Sequence, residues 1–178
     1  MVKYVKSLLI VPSAFALAVL AFAAPAFAQD PPQFEIFMGY GNINIEDTGR
    51  KSGFVSNQTI NLNHWFAIDN MFGAYSLGTD PNLGKTQLIS NIFGAKVTHR
   101  AEKIEPYAVA GFGGGFLRFP QSGQGSNNAM AFRFGGGVDI PFKESFAWKV
   151  EVSRVSYHFS GWNSGTNLST GIVIRIFE

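Results

Sequence analysis

The sequence predicts an all-β fold: an eight-stranded, antiparallel, up-and-down β-barrel whose strands cross a membrane. Three observations predict it. Apolar and polar residues alternate with period two over eight stretches of roughly ten residues each. Glycine is spread through the chain, 20 among 178 residues, which is unfavourable inside helices. Only 15% of the residues are charged, against 46% hydrophobic and 15% aromatic. That charge fraction lies well below the roughly 25% of a soluble domain, and the aromatic content excludes a disordered chain. The absence of cysteine excludes a disulfide scaffold, a thiolate zinc site and a cysteine nucleophile. The length suits one domain.

Residues 1–28 are expected to be a cleaved secretory signal peptide, leaving 29–178 as the barrel domain. Lys3 and Lys6 form a basic start, Leu8 to Phe22 an apolar run broken only by Pro12 and Ser13, and Ala26-Phe27-Ala28 a small-x-small cleavage signal before polar Gln29 and Asp30. Cleavage is expected after Ala28, and no Cys follows to carry a lipid anchor. Losing Lys3 and Lys6 takes the 14 basic residues to 12, equal to the 12 acidic ones. A neutral mature chain has no electrostatic footprint for nucleic acid. No mature segment reaches the roughly 20 apolar residues of a membrane helix.

The first stretch, Gln33–Ile45, sets Phe34, Ile36, Met38 and Tyr40 against Glu35, Gly39 and Gly41. The second, Phe54–Asn63, alternates Ile60 and Leu62 with Thr59, Asn61 and Asn63. In the third, Phe66–Leu77, Phe66, Ile68 and Phe72 oppose Asp69, Met71 and Gly73. The fourth, Thr86–Thr98, has Ile89, Phe93 and Val97 opposite Ser90, Gly94 and Lys96. The fifth, Tyr107–Phe119, contains Gly113-Gly114-Gly115, which hides the parity, so neither face is assigned. The sixth, Ala129–Ile140, sets Phe132, Phe134 and Val138 against Arg133, Gly135, Gly137 and Asp139. The seventh, Phe146–Phe159, sets Trp148, Val150 and Val152 against Lys149, Glu151 and Ser153. The eighth, Asn167–Phe177, sets Ile172, Ile174 and Ile176 against Ser169, Gly171 and Arg175.

The connections alternate in character. Glu46–Ser52, Gly78–Lys85, Pro120–Asn128 and Ser160–Thr166 are polar and rich in glycine. Between them fall a tight turn at His64-Trp65, a charged turn at His99–Glu105 and a short turn at Pro141–Ser145. An even strand number with loops alternating in this way suits a closed up-and-down sheet, with both termini and the tight turns at one end.

Alternation alone also fits a soluble barrel with apolar residues inside. An eight-stranded lumen is narrow and side chains just fill it, so Phe34, Phe66, Phe72, Phe93, Phe132 and Phe134 cannot all enter it with the isoleucines. The apolar face is therefore expected to meet lipid and the charged face to line the interior, with closure satisfying every backbone group. Aromatic residues near strand ends are expected to form two girdles: Trp65, Phe66, Tyr107, Phe142, Phe146 and Trp148 at the tight-turn end, and Phe119, Phe159 and Trp162 at the other.

Several segments resemble a known family: Gly53-Phe54 with Asn61-Leu62-Asn63-His64-Trp65-Phe66, Asp69 and Phe72; Phe93-Gly94-Ala95-Lys96 with Glu105-Pro106-Tyr107-Ala108; Gly135-Gly136-Gly137-Val138-Asp139; and Asn167-Leu168-Ser169-Thr170-Gly171-Ile172-Val173. In this order they resemble the small bacterial outer-membrane beta-barrel domain family, similar in architecture to the eight-stranded barrel of outer membrane protein A. The resemblance covers the mature chain. It implies a Gram-negative outer-membrane location, assisted assembly, a monomer, and contact with outer-membrane lipids and lipopolysaccharide. Such barrels usually end in an aromatic residue, whereas here Phe177 is penultimate and out of phase with Ile172, Ile174 and Ile176.

The candidate site is a lumen charge network of Glu35, Asp69, Lys96, Arg133, Lys149, Glu151 and Arg175. Buried charges are tolerated only when paired, and closure of strand eight on strand one lets Glu35 and Arg175 meet. A structural role for this network, in a non-enzymatic barrel with a filled lumen and a structural or surface-interaction role, is the leading expectation. A narrow passive channel is the alternative. A further one is a lipid A-modifying hydrolase, since His158 and Ser160, two residues apart, resemble the His-x-Ser of outer-membrane deacylases. No acid follows Glu151 before Glu178 to orient the histidine, and only one strand remains after it. Gly111-Phe112-Gly113-Gly114-Gly115 lacks the Lys-Ser/Thr and the helix of a phosphate loop. Asp80-Pro81-Asn82 lacks a complete calcium spacing, and His64 and His99 form no metal spacing. No cofactor or metal is expected. Arg154 falls on the lipid-facing parity of strand seven, explained by a headgroup contact or by a bulge that flips its face.

Overall fold

The structure, a computed structural model, describes residues 31–45, 49–80, 84–118 and 127–177. The expected signal peptide, Phe119 and the Asp80-Pro81-Asn82 turn beyond Asp80 lie outside these. Eight strands follow one another: β1 (Phe34–Ile45), β2 (Gly49–Asn61), β3 (Phe66–Asp80), β4 (Gly84–Thr98), β5 (Glu105–Arg118), β6 (Asn127–Lys143), β7 (Phe146–His158) and β8 (Trp162–Ile176). Each pairs antiparallel with its sequence neighbours, and β8 returns to β1 to close the barrel. At the tight-turn end the strands start and stop within three residues of the alternation, with β6 running on to Lys143 rather than ending at Ile140. At the other end several run further than expected. β2 begins at Gly49 rather than Phe54 and β8 at Trp162 rather than Asn167, because ladder pairs such as Ile45↔Gly49 and His158↔Trp162 continue through polar residues. Strands of 12 to 17 residues exceed the roughly 9–11 that a tilted strand needs to cross a bilayer, so their polar ends stand beyond it.

The turn end is built from local chemistry. The Asn63 side-chain oxygen accepts the backbone N–H groups of Trp65 and Phe66, both at 2.9 Å, an Asx turn that reverses the chain between β2 and β3. Pro141, expected to open a turn, instead sits in β6 beside a register shift between Pro141 and Lys143. A bulge is one of the places where a strand tolerates proline.

The faces are sorted by the alternation. Phe93 and Phe134 are 55% and 59% exposed on the outside, whereas Arg133, next to Phe134, is 3% exposed inside. In β5, where the glycine run hid the parity, Glu105, Tyr107, Val109, Gly111, Gly113 and Gly115 take the inner face and Ala108, Ala110, Phe112 and Phe116 the outer one. The interior has two storeys. Near the turn end it is charged. Toward the loop end it is apolar and aromatic, with Ile43, Val55, Tyr75, Leu88, Val155 and Tyr157 in one buried cluster. Glycines make room for the inward rings: a Cβ on Gly115 would lie 2.6 Å from the Tyr157 ring, and one on Gly137 the same distance from the Tyr107 hydroxyl.

Candidate functional site: a neutral charge layer inside the barrel

The strands and the turn after β4 bring ten ionisable side chains into the lower storey, all buried: Glu35, Asp69, Glu105, Asp139 and Glu151 against Lys96, Arg100, Arg133, Lys149 and Arg175. Five negative and five positive charges leave the layer neutral. Cross-strand geometry supplies the pairs. Glu35 on β1 stands opposite Arg175 on β8 in the closing ladder, and the Arg175 Nε lies 3.9 Å from it. Glu35 also takes Lys96 at 3.2 Å and Arg100 at 2.9 Å from across the lumen. Glu105 accepts from Arg175 at 2.6 Å and from Arg100 at 3.1 Å. Higher up, Arg133 spans Asp69 at 2.8 Å and Glu151 at 2.5 Å. Lys96 donates to Asp139 at 3.0 Å.

Neutral groups complete the layer. Asn57 and Thr59 donate to Asp69, Thr59 at 2.8 Å, and the Tyr107 hydroxyl donates to Glu151 at 2.9 Å. Lys149 is held more loosely, 3.8 Å from Asp139, with its ammonium over the Tyr107 ring at 4.8 Å and the Phe37 ring at 5.2 Å. Such cation–aromatic contacts add modestly to a desolvated ammonium. Arg100 comes from the turn after β4, outside the ladders. Burial disfavours its charge, but Glu35 and Glu105 outweigh that and raise its pKa above the ordinary arginine value.

All seven residues of the expected network thus lie in one buried layer. Three members were missed. Asp139 and Glu105 share the inward parity of their strands, a signal available once β5 is phased from Glu105. Arg100 carries no strand periodicity, and nothing in its spacing shows that a turn residue folds back into the barrel mouth.

The expected aromatic girdle needs correction at two positions. Tyr107 points inward, because it is two residues from Glu105 on the same face, and it is bound to Glu151. Phe159 stacks on inward Tyr157 with centroids 6.1 Å apart, following that residue's parity past the end of β7. Phe66, Phe146 and Trp148 do face outward, Phe142 stacks on Phe146 at 6.3 Å, and Trp65 packs against His99 at 5.6 Å. Trp162 packs outside, on Phe132 and His158.

His158 and Ser160 do not share a strand face. β7 ends at His158, Ser160 lies in the turn beyond it, and the exposed imidazole packs at a tilt against Trp162, centroids 4.9 Å apart. Among the described residues, no group of three or more histidine or acidic side chains is placed to hold a metal ion. Arg154 faces outward on an unbroken register, opposite Phe134 on one side and Thr166 on the other, which excludes the bulge as its explanation.

A closed antiparallel barrel, apolar outside and ion-paired inside, defines a transmembrane β-barrel. Residues 14–174 match the family described as the outer membrane protein beta-barrel domain, and the chain belongs to that family. No curated protein matches in sequence. Among solved structures, the barrel is similar to Neisserial surface protein A, at 12% identity and TM-score 0.66, with 81% of this chain and 97% of that one covered. It is similar to Ail, the attachment invasion locus protein of Yersinia pestis, solved with the heparin analogue sucrose octasulfate, at 18% identity and TM-score 0.57, covering 81% and 99%. The N-terminal barrel of Pseudomonas aeruginosa OprF aligns at 16% identity and TM-score 0.57, covering 82% and 100%. At these identities the likeness is one of fold.

Proposed function

We propose that this is a non-enzymatic, monomeric outer-membrane protein with a sealed interior, exported by its N-terminal signal peptide and acting through its outer surface. In this reading both termini and the three tight turns face the periplasm and the loop end faces outside. The observation that carries the reading is the double seal of the lumen: a neutral ion-paired layer under an aromatic and aliphatic plug. A water path needs a polar, unobstructed route. Tyr75, Tyr157, Leu88 and Val155, all buried, stand across such a route in the upper storey. The end of β7 at His158, which leaves Ser160 off its strand face, and the lack of an acidic residue between Glu151 and Glu178 in the sequence favour this reading over a hydrolase.

The test is electrical. Refolded protein in planar bilayers is expected to give no discrete conductance steps, and its gel mobility in detergent is expected to change on boiling, as for a folded barrel. Regular single-channel steps from a folded preparation would replace this reading with the narrow channel. Orientation is tested by a cysteine at Ser160, in a chain that otherwise has none; it is expected to react with an impermeant maleimide on intact cells.

A further inference from the structure

The outer face is polar at mid-strand on one flank only. On β2, β3 and β4 the outward parity carries Ser56, Gln58, Asn70 and Asn91, set between inward residues such as Val55, Met71 and Ile92. Each of the four lies among apolar neighbours on its own face. Ser56 and Gln58 fall between Phe54 and Ile60, Asn70 between Ile68 and Phe72, and Asn91 between Ile89 and Phe93. Asn70 stands four residues, roughly 13 Å along the strand, from Phe66 at the turn end, in a band about 25 Å tall. These amides therefore face hydrocarbon at mid-depth and not headgroups. On the other flank the outward positions at mid-strand carry Phe112, Phe134, Val150 and Ile172. Where a hydroxyl does occur in that belt, at Thr170, it donates to the Lys149 backbone carbonyl at 3.0 Å.

Acyl chains offer an amide no hydrogen bond, so each such group needs a partner in protein. Three of the four residues find one another. Gln58 pairs with Asn70 in the β2–β3 ladder. The Asn70 amide donates to Gln58 Oε1 at 2.8 Å, and the Gln58 amide donates to the Ser56 hydroxyl at 3.1 Å. The set does not close on itself, because Asn70 Oδ1 and Asn91 Oδ1 have no hydrogen-bond partner. Asn91 stands in the ladders between Phe72 and Gly114, neither of which offers it a polar side chain. The terminal torsion of asparagine is broad, so Asn91 can turn either its carbonyl or its NH2 outward.

We propose that the flank formed by β2, β3 and β4 docks a second copy of this chain through the amides of Gln58, Asn70 and Asn91, about a two-fold axis along the membrane normal. An axis in that direction puts every residue at the depth of its own copy, so amides meet amides and not the partner's aliphatic belt. An amide is donor and acceptor at once, and two of them set head to tail close a pair of hydrogen bonds. The patch carries no charge, so it is complementary to itself and gives a charged partner nothing to pair with. Phe93, exposed between Asn70 and Asn91, supplies apolar contact around the amides. Polar contacts between membrane segments are individually weak, so the pairing is lateral and reversible. The barrel folds, closes its lumen and stands alone when dilute, as in the reading above. It pairs where copies are concentrated in a bilayer, using only its outside.

The experiment is energy transfer between donor-labelled and acceptor-labelled copies of the full barrel carrying Ser160→Cys, refolded together in phosphatidylcholine vesicles while the lipid-to-protein ratio is raised stepwise. Transfer above random mixing is expected at low ratios, rising linearly with acceptor fraction as a dimer requires and falling as lipid is added. Asn91→Leu is expected to weaken association about fivefold, the worth of one polar contact in a membrane. Because Asn91 stands outside the Ser56–Gln58–Asn70 set, this variant leaves the barrel's own bonds in place, and gel mobility checks its fold. Gln58→Leu, Asn70→Leu and Asn91→Leu together are expected to reduce transfer to random mixing, and Phe134→Leu on the other flank to leave it unchanged. Random mixing in the unsubstituted chain at every ratio overturns the proposal and leaves the patch to a different membrane protein. Unchanged transfer in the amide variants, or an equal loss in Phe134→Leu, overturns it too. Conductance tests the sealed lumen independently, so failure of that reading and failure of the pairing are distinguishable.

Discussion

Arg133 illustrates what a single buried charge does here. It joins Asp69 on β3 to Glu151 on β7, so replacing it leaves two carboxylates facing each other without a cation. Breaking a buried pair by removing one partner costs about 3–5 kcal/mol. Arg133→Met is expected to lower unfolding stability by that order, read by urea titration in lipid vesicles. Lys149 stands at the other extreme. Its ion pair with Asp139 is 3.8 Å long and its ammonium lies over ring faces, so Lys149→Met is expected to cost less than Lys96→Met, whose ammonium meets Glu35 and Asp139 at 3.2 and 3.0 Å. Equal losses for the two lysines would show that desolvation, not pairing, sets their worth.

At the scale of the strand, the period of two carried most of what could be read. Phe134 beside Arg133, or Trp148 beside Lys149, assigns a face with no tertiary information. Where side chains vanish, the signal vanishes with them, and Gly113-Gly114-Gly115 left β5 unphased although Glu105 and Tyr107 stand at its start. Tyr107 and Phe159 show the converse error: position near a strand end suggested a membrane girdle, but parity decides which side a ring takes. The inward rings in turn dictate glycine. Gly115 faces Tyr157 and Gly137 faces Tyr107, an arrangement in which a ring covers the bare backbone of its neighbour. Gly115→Val is expected to block folding, giving a gel mobility no longer altered by boiling, while Gly115→Val with Tyr157→Ala is expected to recover it. Failure of the double variant to fold would place the requirement in the backbone rather than the ring.

The whole molecule draws its stability from one arrangement. Apolar surface faces the lipid side, so the interior is held by ion pairs, stacked rings and the ladder, with the aromatic and aliphatic cluster of the upper storey lying over the charges below. Tyr75→Ala with Tyr157→Ala opens that plug. It is expected to admit water to the charge layer and to lower the urea midpoint further than either single change, because the ion pairs then lose their low dielectric. A double variant no less stable than the two singles together would mean that the storeys are independent. The fold was legible because seven of the eight strands repeat the same alternation and closure follows from an even count. The outer row at the loop end was only hinted at, by Arg154 out of place, since its neighbours Arg50, Asn44 and Thr166 come together only once the register is known.

The pairing of Glu35 with Lys96, Arg100 and Arg175 ties the first strand to the middle of the chain and to the last strand at once. A chain that joined its ends one notch off, or with a hairpin missing, would strand bare carboxylates in a hydrocarbon environment. The ionic layer therefore acts as a combination lock on assembly: only the arrangement that cancels all ten charges together lets the cylinder shut.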